Sequence, residues 1–100
     1  MNVRIFPNIK QKYILVRAVR EGNEMILLWG NPNIQWHNDI LEEMKNLGIE
    51  VVVVLGGGWL FVDQEKDIKY VWGKSDRFGP VPIELVRELL GGEIIEEELK

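Results

Sequence analysis

The chain carries one histidine, His37, and one serine, Ser75, and it has neither cysteine nor threonine. That inventory confines the chemistry to few side chains. A cysteine nucleophile is excluded, and zinc, which draws on several Cys or His ligands, finds no ligand set. Magnesium held by carboxylates stays open, although no Asp-x-Asp run or EF-hand loop supports it. A serine–histidine pair can only be Ser75 with His37. General acid, base or nucleophilic chemistry points first to His37, because imidazole alone titrates near neutral pH.

His37 lies in Gln35-Trp36-His37-Asn38-Asp39-Ile40, behind the structure breaker Asn31-Pro32-Asn33. Downstream, Ile40, Leu41, Met44 and Leu47 recur at helical spacing and stop at Gly48. The pattern predicts a helix over residues 37–47 with His37 at its N-terminus. Free backbone N–H groups and the helix dipole favour an anion there, so an imidazole at that place suits phosphate chemistry. Surface and capping histidines are commoner, and position alone does not decide between them.

A second stretch, Lys74-Ser75-Asp76-Arg77-Phe78-Gly79-Pro80, joins the serine to two cations behind Gly73. Hydroxyl, guanidinium and backbone N–H donors in one short loop match phosphate oxygens. A polar link from strand to helix explains the same residues equally well. Gly56-Gly57-Gly58 is a third candidate, as a backbone cradle for a ligand. No Gly-Lys-Ser/Thr follows it, which excludes a P-loop, and turn chemistry favours a hairpin turn or bulge.

The elements that must hold these stretches read as follows. Residues 1–10 form an irregular lead-in with Pro7 and Asn8 as breakers. Strands over 12–20 and 24–30 make a hairpin with the three-residue turn Glu21-Gly22-Asn23. After the helix over 37–47, whose Glu42 and Glu43 face solvent, Glu50-Val51-Val52-Val53-Val54-Leu55 is a strand covered on both faces and central in the sheet. Further strands follow over 59–63 and 67–73. A second helix over 83–90 opens near Pro82, closes at Gly91-Gly92 and buries Ile83, Val86, Leu89 and Leu90. A last strand covers 93–97. The order β-β-α-β-β-β-α-β implies an α/β fold of α+β character: one mixed sheet of about six strands with two helices packed on it.

One hundred residues suit a single domain over 1–100. Missing cysteines, no bilayer-length apolar run and no signal-peptide pattern lead to the expectation of a cytoplasmic protein without membrane contact. A net charge of −4 argues against nucleic acid as a partner. It also gives Trp29, Trp36, Trp59 and Trp72 roles in core and pocket wall rather than in base stacking. A monomer is the default expectation.

With those elements in place, residues 12–90 resemble the Janus family, whose best-known members are phosphohistidine phosphatases. The resemblance rests on four motifs in register: Lys12-Tyr13-Ile14-Leu15-Val16-Arg17, Trp36-His37-Asn38-Asp39-Ile40, Leu55-Gly56-Gly57-Gly58, and Trp72-Gly73-x-Ser75 with Phe78-Gly79-Pro80. It implies a hydrolase, free of metal and cofactor, that cleaves the P–N bond of phosphohistidine, or in some members phospholysine. The substrate would be a phosphohistidine-containing protein or a small phosphoramidate. His37 would be the general base that activates water, with Lys12 beside the phosphoryl group. Ser75, the backbone of Asp76 and Arg77, and the N–H of Asn38 would hold its oxygens. A non-catalytic phospho-ligand-binding module is the alternative. Two positions depart from the familiar animal enzymes, which carry Arg where this chain has Trp29 and Trp59. Arg77 would restore part of that charge if its side chain points inward.

Overall fold

The computed structural model describes residues 2–99. Its strands are β1 (Val3–Arg4), β2 (Gln11–Arg20), β3 (Asn23–Asn31), β4 (Glu50–Asp63), β5 (Ile68–Trp72) and β6 (Glu93–Ile95). Helix α1 (His37–Asn46) joins β3 to β4, and α2 (Ile83–Leu90) joins β5 to β6. The six strands form one mixed sheet in the order β1-β3-β2-β4-β5-β6, with parallel pairing only at β1–β3 and β5–β6. The expected class stands, but the element order is β-β-β-α-β-β-α-β.

Two errors in the expected order cancel in the strand count. The lead-in contains β1, which pairs with β3 at Val3 and Leu28; a two-residue strand has no periodicity to read. Conversely, residues 50–63 form one strand rather than two. Gly56, Gly57 and Gly58 stay in the ladder opposite Leu15, Ile14 and Tyr13, so they make no hairpin turn. The irregularity lies beside them: Leu55 and Val52 have no partner on β2, and the register shifts at both. These are bulges, each placing one extra residue in β4. The β2–β3 hairpin is also tighter than expected. Arg20 pairs with Asn23, and Glu21 and Gly22 both have positive φ, 52° and 79°. That is the two-residue turn whose twist matches the flanking strands.

The alternation of β2 explains the layers. Ile14, Val16 and Ala18 face α1 and pack with Leu27, Ile40, Met44 and Ile49. Tyr13 and Leu15 face the other way, toward Leu28, Leu60, Val71 and Val86 of α2. The helices therefore lie on opposite faces of one sheet, and each fully buried aliphatic side chain contributes about 1.5–3 kcal/mol. Helix α1 ends in a Schellman motif: Ile49 N–H donates to Met44 O at 3.1 Å and Gly48 N–H to Lys45 O at 3.0 Å. Leu47 falls in this cap and is 60% exposed, so it leaves the predicted apolar stripe.

β4 lies inside the sheet, but its valine run is not covered on both faces. Val52 is 56% and Val53 40% exposed. The reason is length: β5 pairs only with residues 59–63, which leaves the first half of β4 with one partner strand.

Glu42 stays in solvent, but Glu43 does not. Its Oε1 accepts from Arg4 Nη2 at 2.6 Å and Trp29 Nε1 at 3.1 Å, and its Oε2 accepts from Asn31 Nδ2 at 3.1 Å. The Arg4 guanidinium also donates to Gly30 O at 3.1 Å and lies 4.4 Å from the Trp29 ring. Burial pushes the Glu43 carboxyl up, but these donors outweigh it and hold the group below its ordinary value. The cluster ties β1, β3 and α1 together. Because β1 was illegible, so was the partner that draws Glu43 inward.

Candidate functional site

Helix α1 starts abruptly. Trp36 is extended (φ −117°, ψ 136°), no side chain caps the helix, and His37 is its first residue. Asp39 N–H is taken by Trp36 O at 3.0 Å, whereas Asn38 N–H has no acceptor among the described residues. The helix end thus keeps a donor for an anion.

His37 is only 8% exposed. Its Nε2 lies 2.9 Å from Gly58 O, and a carbonyl can only accept, so the ring donates from Nε2. In the neutral ring that leaves the Nδ1 lone pair unprotonated. Burial pushes the His37 pKa below 6.5; the bond to Gly58 opposes this, the charge of Lys12 reinforces it, and that of Asp76 opposes it. The ring is therefore neutral at pH 7, the state a general base requires.

The glycines of β4 serve this arrangement by being small and by presenting carbonyls, rather than by cradling a ligand with N–H groups. A Cβ on Gly57 would lie 2.9 Å from His37 Cδ2 and 3.1 Å from Ser75 Cβ. Gly57 O accepts Ser75 N–H at 3.0 Å, and Gly57 N–H donates to Gly79 O at 3.0 Å. Gly56 has φ +150°, and a Cβ there would collide with the Pro80 carbonyl. The loop carrying Ser75 can lie down on β4 only because both positions lack side chains.

Ser75 is 2% exposed, and its Oγ accepts Phe78 N–H at 3.1 Å while its carbonyl accepts Gly79 N–H at 2.9 Å. These bonds close a turn over residues 75–79. The N–H groups of Asp76 and Arg77, inside it, have no acceptor among the described residues. The Ser75 hydroxyl proton remains available to a ligand.

Lys12 enters from β2, opposite Trp59 on β4 and Asn31 on β3. Its ammonium donates to Gln35 O and lies 5.4 Å from the Trp36 ring and 5.2 Å from the Trp59 ring. All six residues singled out from the sequence, Lys12, His37, Asn38, Ser75, Asp76 and Arg77, line one cleft of about 490 Å³. The Arg77 guanidinium lies 5.6 Å from the Phe78 ring. Trp59 lines the cleft too. Trp29 does not: it is 7% exposed and belongs to the core under α1, so its indole displaces no cation from this cleft. Two further lining residues, Lys74 and Trp36, lay in the candidate stretches but were given no role of their own at the site. Their signal was adjacency, Lys74 to Ser75 and Trp36 to His37.

Three cations, Lys12, Lys74 and Arg77, share the cleft with one carboxylate, Asp76, although the whole chain is acidic. Such a cleft concentrates anions. Fixed N–H donors, a serine hydroxyl, cations and a neutral imidazole can bind a phosphoryl group and take a proton beside it. Among the described residues, no three His, Cys, Asp or Glu gather in a metal-binding group, and no helix is long and apolar enough to cross a membrane.

No curated protein matches the chain. The family model of Janus/Ocnus (Ocnus) does, over residues 1–97. With almost its whole length matched, the chain belongs to the Janus/Ocnus family.

Proposed function

We propose that this cleft hydrolyses the P–N bond of phosphohistidine, with His37 as general base, in a cytoplasmic setting. One observation carries the reading: a neutral, buried histidine has its proton fixed on Nε2 by Gly58 O and stands in a cleft with unused N–H donors and cations. Ser75 Oγ and the N–H groups of Asn38, Asp76 and Arg77 hold the phosphoryl oxygens, and Lys12 offsets their charge. His37 Nδ1 takes a proton from water as the water oxygen bonds to phosphorus. The P–N bond breaks, the leaving imidazole nitrogen keeps the bonding pair and takes a proton from solvent water, and His37 returns its proton to solvent. The products are phosphate and free histidine. Positioning and electrostatics suffice for such a transfer, and a well-placed base contributes about 10²–10⁴-fold. Phospholysine follows the same course with an amine as leaving group.

A second reading, a phospho-ligand-binding module without turnover, draws on Trp59, which gives the cleft an indole where the resembling animal phosphatases have arginine. Phosphorus NMR of a phosphohistidine peptide, without added metal, separates the two. Hydrolysis by wild type and none by His37→Ala is the expected result. Equal hydrolysis by both removes His37 from the mechanism, and binding without hydrolysis by either moves the reading to the module.

A further inference from the structure

We propose that the open sheet face beside the cleft docks an extended acidic polypeptide segment. Helix α1 covers only part of its face of the sheet. Lys12 and Ile14 share that face by alternation along β2, and Lys12 pairs with Trp59, so Trp59 lies on it as well. The cross-strand pairs Trp59–Trp72 and Phe61–Tyr70 continue the same face across β4 and β5. All four aromatics are half-buried, and none belongs to either core cluster. They form an aromatic platform outside the packed interior.

The platform leads out of the cleft as an ordered row. The Trp36 and Trp59 rings both lie beside the Lys12 ammonium, at 5.4 and 5.2 Å. Trp59 stacks on Trp72, with ring centroids 6.4 Å apart and planes 11° from parallel. Lys10 Nζ then lies 5.9 Å from the Trp72 ring. Indoles supply rigid apolar area, and the Lys10 ammonium, beyond the cleft, selects a carboxylate.

The row already shows what it holds. The Glu98 carboxylate lies 3.5 Å from Lys10 Nζ, so an acidic side chain occupies the far end of the platform. The near end is the cleft itself, since Lys12 and Trp59 line both. Two inter-strand steps separate Lys12 from Trp72, about 10 Å, which is the reach of about three extended residues. A polypeptide with its phosphorylated residue in the cleft therefore lays the next three residues over the indoles and sets a carboxylate on Lys10 in place of Glu98. Stacked indoles beside cations also suit nucleobases, but the carboxylate already on Lys10 favours the polypeptide.

The proposal builds on the phosphoryl reading of the cleft, and the test keeps the two apart. Amide and indole N–H signals are followed by NMR while three probes are added separately: inorganic phosphate, an unphosphorylated eight-residue peptide with one histidine and three glutamates, and an eight-nucleotide thymidine strand. The peptide is expected to shift the Trp59 and Trp72 indole signals. Lys10→Gln should weaken its binding about two- to fivefold, as for an exposed ion pair. Trp72→Ala should weaken it about tenfold. Glu98→Gln, which frees Lys10, should tighten it. Unmoved indole signals, equal binding of a lysine-for-glutamate peptide, or preference for the thymidine strand overturns the proposal. Lys10 is at the surface, so its variant remains decisive if Trp72→Ala fails to fold. Phosphate shifts at Asn38 and Ser75, together with indoles that the peptide leaves unmoved, leave the cleft reading standing and sink the platform. Peptide shifts without any phosphate response do the reverse.

Discussion

Gly57→Ala isolates the steric part of the site. Gly57 lacks the positive φ that Gly56 has, so alanine is compatible with its backbone and the cost comes from collision alone. The new Cβ would lie 2.9 Å from His37 Cδ2, 3.0 Å from Tyr13 O and 3.1 Å from Ser75 Cβ. The Tyr13 carbonyl is fixed in the central ladder and cannot retreat, so the His37 ring must. Ordinary carbon–carbon contact begins near 3.5–4.0 Å, which requires a retreat of roughly 0.7 Å. Taken along the bond, that stretches the 2.9 Å contact from Nε2 to Gly58 O just past hydrogen-bonding distance. Overpacking of this kind costs about 1–3 kcal/mol, equivalent to a fall in Tm of roughly 5–20 °C for a chain of this size. Under the proposed hydrolysis, misplacing His37 by most of an ångström should lower phosphohistidine turnover on the order of 10–100-fold. Thermal melting, a urea titration and the phosphorus assay read these effects. Gly79→Ala is the control: with φ +76° and nothing within 4 Å of its Cβ, it loses only backbone energy, about 1–2 kcal/mol. A Gly57→Ala protein with wild-type Tm and unmoved His37 ring signals would refute the reasoning.

Other consequences follow from the charges. His37 is the only histidine, so its NMR titration is unambiguous: its pKa should lie below 6.5, rise in Lys12→Met and fall in Asp76→Asn. An unresponsive titration in both variants removes those charges from the account. Because the folded pKa lies below the unfolded one, the His37 contribution to stability is full above pH 6.5 and is lost as pH falls through the folded value. Turnover should likewise be level above pH 6.5 and decline on the acid side. Glu43→Gln should cost about 2 kcal/mol at pH 7, since it weakens charge-assisted bonds from Arg4, Asn31 and Trp29. The Glu43 pKa is depressed in the fold, so its contribution is present above the unfolded value near 4.5 and disappears as pH falls through the folded one. Urea titrations of wild type and variant should converge in acid, and a constant gap between them would count against the ionic account.

What could be read from the sequence was whatever repeats locally. The helix over 37–47 came from apolar spacing and Gly48, and the structure ends α1 one residue sooner because Leu47 belongs to the cap. His37 was found as the single histidine at a predicted helix start, and the loop around Ser75 as the single serine between two glycines; the structure brings both to one cleft. Lys12 entered only through family resemblance, because nothing near it in sequence shows that β2 will place it opposite Trp59. The continuity of β4 through three glycines was hidden because glycine in extended backbone gives no propensity signal, although a sheet tolerates it where another segment must approach closely. Glu43 was misread for a similar reason: its partner Arg4 lies 39 residues away on the shortest strand.

The first half of β4 bears on self-association. With β2 on one side only, residues 50–54 present unused ladder groups and a run of valines to any passing chain, which is the usual starting point for strand-on-strand aggregation. The bulges at Val52 and Leu55 interrupt that template. Each one breaks the even spacing of N–H and C=O groups and adds local twist, so a foreign strand cannot run straight along the edge. Deleting Val52 would regularise the ladder there and turn a guarded edge into a flat one. Slow fibril formation by that variant, followed by thioflavin fluorescence against a non-aggregating parent, is the behaviour this geometry holds in check.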